Sequence, residues 1–176
     1  MKRIILIGYM GAGKTTIGKA LSKRLNLMFY DLDWYIESRM HKTVAEIFAS
    51  EGEEGFREIE YNMLHEVAEF ENVVVSCGGG TPCFFDNMDY LNAQGATVYL
   101  KASPEVLASH LKMGKVVRPL IAGKSDEELR QFIMESLAKR EPYYSHAHHI
   151  LDVNLLDCLK KINESVDEVC KLLGEG

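Results

Sequence analysis

No apolar run in this sequence approaches the ~18 residues that a membrane-spanning helix requires. The first residues, "MKRIILIGYMG", carry two basic side chains and a short apolar run. That run is too short for a signal peptide with its cleavage site, so it reads as a first strand and the protein is expected in the cytoplasm. The four cysteines form no C-x-x-C pair, which argues against a metal or redox centre and for reduced thiols. "HAHH" at residues 146–149 has no cysteine or carboxylate at ligand spacing, and reads as a polar turn before a strand. Excess positive charge is absent too: 20 basic against 26 acidic residues give a net charge of −6. This argues against nucleic acid or an anionic membrane as partner. Repeats, low-complexity tracts and proline-rich linkers are all missing, so residues 1–176 read as one domain. No heptad pattern or large apolar helix face is evident, and a monomer is expected.

What is present is an ordinary 47% of hydrophobic residues in an alternating strand–helix pattern. That pattern argues for an α/β fold with a parallel sheet. "RIILI" is a continuous apolar run, as expected of a strand buried on both faces. "LMFYDLD", "VVVS", "ATVYLKA" and "HHILDV" follow as four more strands. Residues 14–25 read as a helix with Ile17, Ala20, Leu21 and Leu25 on one stripe. Further helices are expected over 84–92, 104–112, 126–139 and 155–173, with "SP" at 103 and "SDEE" at 125 as start signals. Two passages exceed the dozen or so residues a parallel crossover needs. One spans 34–71 and holds two helical segments, the first opened by "TVAE" and the second reading "EGFREIEYNMLHEVAEF". The other, 113–124, is glycine-containing and basic, with Lys112, Lys115, Arg118 and Lys124 in or beside it and no acidic residue. Long inserts on such a sheet are commonly functional, and these are candidates for an acceptor-binding insertion and a lid.

Residues 8–16, "GYMGAGKTT", satisfy G-x-x-x-x-G-K-[ST] between an apolar strand and an amphipathic helix, which is the context a phosphate loop requires. Glycines let backbone N–H groups of Gly11, Ala12 and Gly13 face phosphate oxygens, and the helix N-terminus faces the same anion. Lys14 would reach the β- and γ-phosphates of ATP, and the Thr15 hydroxyl would bind Mg²⁺. Thr16 either touches a phosphate or caps the helix.

Read as strand residues, Asp31 and Asp33 of "YDLD" point to one side of the sheet, at the carboxyl edge where open α/β sheets bind ligands. Two carboxylates there repel unless a cation or a donor separates them. Mg²⁺ near Asp31 and an acceptor hydroxyl on Asp33 would resolve this; alternatively Asp33 caps the next helix. The acid that many phosphate-loop ATPases keep after the "VVVS" strand is missing, so Asp31 inherits the metal role. Arg57, with Glu60 three residues on, is either a braced clamp for an anionic acceptor or a surface ion pair. Arg140 is a second clamp candidate, with Pro142 expected to end its helix. The run Gly78-Gly79-Gly80 suits a close approach of backbone to ligand. Cys77 reads as a buried small residue rather than a nucleophile.

"GxxGAGKTT", "DLD", "FRxxE", "SCGGG", "VRPL" and "REPYY" occur in the order and spacing of the shikimate kinases, and the sequence resembles that family over nearly its whole length. The resemblance implies a three-layer α/β/α fold with a five-stranded parallel sheet in the order 2-3-1-4-5. It implies transfer of the ATP γ-phosphoryl group to the 3-hydroxyl of shikimate, with Mg²⁺, on the route to chorismate and the aromatic amino acids. Carried across, Lys14 resembles the phosphate lysine, Thr15 the metal ligand and Asp31 the acid that holds the metal through water. Asp33 resembles the group on the acceptor hydroxyls, Arg57 and Arg140 the carboxylate clamp, Gly78, Gly79 and Gly80 the wall against the ring, and Arg118 the lid arginine. Lys112 stands where the family often has an arginine beside adenine, and lysine stacks less well on a base. Two other readings differ in class: a kinase of another small acceptor such as gluconate, or a non-enzymatic nucleotide-dependent switch.

Overall fold

A computed structural model of the chain describes residues 2–114 and 123–175. Along the chain run β1 (Arg3–Ile7), α1 (Lys14–Leu25), β2 (Met28–Asp31), α2 (Leu32–Met40) and α3 (Val44–Ala68). Then come β3 (Val73–Ser76), a short 3₁₀ turn (Thr81–Cys83), α4 (Asn87–Gln94), β4 (Ala96–Lys101) and α5 (Pro104–Met113). α6 (Asp126–Tyr144), β5 (His149–Asp152) and α7 (Leu159–Leu172) complete the described elements. The strands form one all-parallel sheet in the order β2-β3-β1-β4-β5, the middle layer of an α/β/α sandwich. Central strands are covered on both faces, so Ile4, Ile5, Leu6 and Ile7 are all buried, and so are all four residues of β3. Among the described residues no helix is long and apolar enough to cross a membrane.

Register decides where the chemistry collects. Ser76, the last residue of β3, stands opposite Leu6 on one side and Asp31 on the other. The glycine loop after β1, the aspartate pair at the end of β2 and the glycine run after β3 therefore leave the sheet side by side at its carboxyl edge.

Several sequence expectations shift. The second strand stops at Asp31 and a helix begins at once, so Asp33 sits in the first turn of α2 rather than on the strand. The strand-alternation argument for Asp33 therefore fails, although the residue still arrives at the carboxyl edge. The two helical segments expected in 34–71 are both present, run end to end as α3 and separated by the non-helical backbone of Gly52 (φ 71°, ψ −175°), a conformation that glycine adopts at little cost; what the sequence reading missed there is α2 ahead of them. The helix placed at 84–92 starts instead at Asn87, because Phe84 is extended and Phe85 left-handed. The last helix starts at 159 rather than 155. α6 runs through Pro142 to Tyr144 instead of ending before the proline. A proline in the closing turn forfeits one backbone bond, while Ser145 still caps the end by donating from its N–H to the Glu141 carbonyl at 2.9 Å.

Candidate active site

The glycine loop wraps its own lysine. Gly13 occupies the N-cap position of α1 in a left-handed conformation (φ 94°), which leaves Thr16 inside the first turn and removes its capping alternative. A side chain at Gly13 would be strained by this φ, and a methyl group there, 2.4 Å from Leu156 Cδ1, would displace that leucine. Lys14 is buried, and its ammonium donates to the carbonyls of Gly8 at 2.8 Å and Tyr9 at 2.9 Å. The first turn of α1 presents backbone N–H groups that have no acceptor within the helix. A buried ammonium beside such donors attracts a polyphosphate.

Asp31 holds the N-cap position of α2, yet its carboxylate makes no capping bond. It accepts instead from the Thr15 hydroxyl, with Oγ1 and Oδ2 2.8 Å apart. A hydroxyl and a carboxylate in contact at the mouth of a phosphate loop form a hard-oxygen donor set. That chemistry suits Mg²⁺, which takes few protein ligands and completes its shell with phosphate and water.

Three consecutive glycines form the opposite wall. A methyl group on Gly78 would lie 3.1 Å from Asp33 Oδ1 and 3.2 Å from Glu60 Oε1. On Gly79 it would lie 3.2 Å from Arg140 Nη1 and 3.3 Å from the backbone nitrogen of Met10. On Gly80 it would lie 2.5 Å from Arg57 Nη2. The run thus touches Asp33, Arg140 and Arg57 in succession, and at Gly79 it touches the phosphate loop as well. Side chains on these residues would fill the space that brings the two halves together.

Arg57 is held on several sides. Its Nη1 donates to Glu60 Oε2 at 2.7 Å, and its guanidinium lies 4.1 Å from the centre of the Phe84 ring. Glu60 is 1% exposed and also accepts from the Thr81 hydroxyl at 2.6 Å. With both carboxylate oxygens engaged, Glu60 fixes the fork of Arg57 rather than forming an exposed surface pair. The Nε of Arg57 is buried with no partner among the described residues. Arg140 lies over the Tyr9 ring at 5.2 Å, and Tyr144, one turn on in α6, donates its hydroxyl to the Gly79 carbonyl. A hollow lined by Glu53, Glu54, Arg57, Phe84 and Phe85 opens beside the clamp.

Cys77 is buried behind the wall, and burial pushes its thiol well above the ordinary range, with Glu60 adding to the shift. It is packing, not a nucleophile. Burial also raises Cys83, while Arg140 and Arg57 pull it the other way. Lys112 pairs with Asp126 at 2.6 Å, tying the end of α5 to the start of α6. Arg118, with most of the expected lid at 113–124, lies outside the described residues.

Sequence reasoning overlooked Thr81, Phe84 and Tyr144. Thr81 and Phe84 flank the glycine run and Tyr144 sits in "EPYY", but only through-space contacts reveal their roles.

The chain is similar to known proteins over nearly its whole length. The shikimate kinase family model matches residues 10–172. A shikimate kinase of Phocaeicola vulgatus is 58% identical over 175 residues, covering 99% of this chain and all of that protein. The crystal structure of a shikimate kinase from Bacteroides thetaiotaomicron superposes with a TM-score of 0.96 at 54% identity, covering 98% of each chain. That of a shikimate kinase from Acinetobacter baumannii, in complex with shikimate, gives 0.86 at 31% identity over 99% of this chain and 94% of the other.

Proposed function

The chain belongs to the shikimate kinase family, and we propose how its own residues divide the work of that reaction. The reaction is ATP-dependent transfer of the γ-phosphoryl group to the 3-hydroxyl of shikimate, a step toward chorismate and the aromatic amino acids. The observation that carries the assignment of residues is the run Gly78-Gly79-Gly80, which meets the acceptor-side groups and the phosphate loop along one wall.

On the acceptor side, Arg57 and Arg140 bind the shikimate carboxylate. Arg57 does so with a fork already oriented by Glu60, so little freedom is lost on binding. The glycine wall lies against the ring, and Asp33 accepts from the acceptor hydroxyl, orienting its oxygen toward the phosphorus. On the donor side, Lys14 turns from the Gly8 and Tyr9 carbonyls to phosphate oxygens, and backbone N–H groups of Gly11, Gly13, Thr15 and Thr16 face the same anion, while the Ala12 N–H closes the loop on the Tyr9 carbonyl. Thr15 and Asp31 would hold Mg²⁺, which when bound supplies positive charge to the phosphate oxygens. The acceptor-binding insertion is 34–71, which carries α2 beyond Asp33 and the whole of α3, including Arg57 and Glu60.

The lid at 113–124 enters on sequence composition and Arg118 on the family resemblance. Arg118→Ala is expected to lower kcat and leave the KM for shikimate nearly unchanged; an effect confined to that KM would remove it from the phosphoryl-transfer step.

Acceptor choice is read directly by ADP release against a panel of shikimate, gluconate and nucleoside monophosphates. Stimulation by shikimate alone is the expected result; comparable turnover with gluconate, or slow turnover whatever is added, would overturn the reading. We further take the working form to be a cytoplasmic monomer that binds neither nucleic acid nor membrane. The net charge of −6 supports the absence of nucleic-acid and membrane binding, and sedimentation at working concentration checks the monomer.

A further inference from the structure

His110 lies near the end of α5 and bonds two backbone groups far from it in sequence. Its Nδ1 is 2.6 Å from the Gly11 carbonyl oxygen, and its Nε2 is 2.8 Å from the backbone nitrogen of Leu156. A carbonyl can only accept and a backbone N–H can only donate. The ring is therefore the neutral tautomer with its proton on Nδ1, donating to Gly11 while Nε2 accepts from Leu156. Nothing in the proposed division of residues uses this side chain.

We propose that His110 is a positioning residue for the nucleotide, holding the crest of the phosphate loop and the segment after β5 in a single arrangement. This deepens the reading of the glycine loop as the ATP seat and rests on it. Gly11 has φ 83°, and glycine resists a peptide flip least of all residues. Carbonyl and N–H of one peptide point opposite ways, so a carbonyl held out toward α5 keeps the Ala12 N–H turned back across the loop. That N–H bonds the Tyr9 carbonyl at 3.1 Å, and the peptide is thereby fixed at both ends. A flip would break both bonds and change the path of the loop whose neighbouring N–H groups meet the phosphate oxygens.

The Leu156 bond performs the second half of the task. Val153 is the last residue of this segment tied to the sheet, through its N–H to the Lys101 carbonyl, and α7 does not begin until Leu159. Between them the backbone is anchored on His110 and the Leu156 side chain rests on Gly13. One imidazole thus ties the glycine loop, the end of α5 and this segment together. Its partners are on the donor side and include none of Asp33, Arg57 or Arg140.

The experiment compares wild type with His110→Ala and His110→Asn. Steady-state kinetics in both substrates is paired with calorimetric titration of MgADP and thermal melting. His110→Ala is expected to raise the KM for ATP and the Kd for MgADP about tenfold or more, with the shikimate KM within about twofold, because two backbone bonds are lost on one side only. His110→Asn, whose amide nitrogen can still donate to Gly11, is expected to recover part of the nucleotide affinity. Equal rises in both KM values would overturn the inference. So would unchanged MgADP affinity in a folded variant, or a lower melting temperature with intact kinetics. Wild type that binds no MgADP would instead overturn the nucleotide seat itself, and the inference with it.

Discussion

Asp33→Asn is expected to lower kcat by roughly a hundred- to ten-thousandfold, the usual span for losing a group positioned on the reacting proton. The residue lies in the first turn of α2, where the exposed N–H groups of a helix favour negative charge. Its Oδ1 reaches the Gly78 side of the wall, 3.1 Å from where a methyl group on that glycine would stand. A carboxylate here accepts from an alcohol and directs the oxygen lone pair at phosphorus. An amide still accepts but carries no charge to draw the proton off. The loss should therefore come from the missing charge on the reacting hydroxyl, and it should appear in kcat more than in KM. MgADP affinity should be unchanged, since Asp31 and Thr15 form the metal-side pair without Asp33. A variant with kcat within about threefold of wild type would place Asp33 outside the reacting constellation.

Arg57→Ala should damage two properties at once. A charge-assisted hydrogen bond contributes ~1.5–3 kcal/mol, and about 1.4 kcal/mol is a factor of ten. Loss of the clamp should therefore cost roughly ten- to a hundredfold or more in kcat/KM for shikimate. The second effect is on stability. Glu60 is 1% exposed and Arg57 11%, so the substitution strands a buried carboxylate. Breaking such a pair costs roughly 3–5 kcal/mol. For a chain of this size that corresponds to a fall of about 6–20 °C in melting temperature. The two effects separate in the double variant Arg57→Ala with Glu60→Gln, which removes the stranded charge. Melting temperature should partly recover and shikimate affinity should not. Recovery of both would mean that Arg57 acts only by holding the fold together.

The division between what the sequence specified and what needed tertiary structure follows from how far apart the interacting groups lie. β1, the glycine loop and α1 are contiguous, and apolar runs, glycine spacing and helical stripes are local signals. The strand order 2-3-1-4-5 came from the six motifs taken together and not from any one element. Residues 28–40 were misjudged at Leu32, because a strand-like run followed by "DLD" does not reveal where pairing with β3 ends. Arg57 and Glu60 were legible as a pair, being three residues apart on a helix. Thr81, 21 residues beyond Glu60, was not.

By itself the sequence determined the family, the phosphate loop and the types of group the acceptor site would need, since these are written in residue identity and short spacing. Only the folded chain decided which glycine faces which charged group, that Asp31 turns to Thr15 instead of capping its helix, and that His110 joins Gly11 to Leu156 across 99 and 46 residues. The reason is physical: hydrogen bonds and steric exclusion act over a few ångströms in space, and parallel β-pairing brings together segments that the linear order keeps far apart.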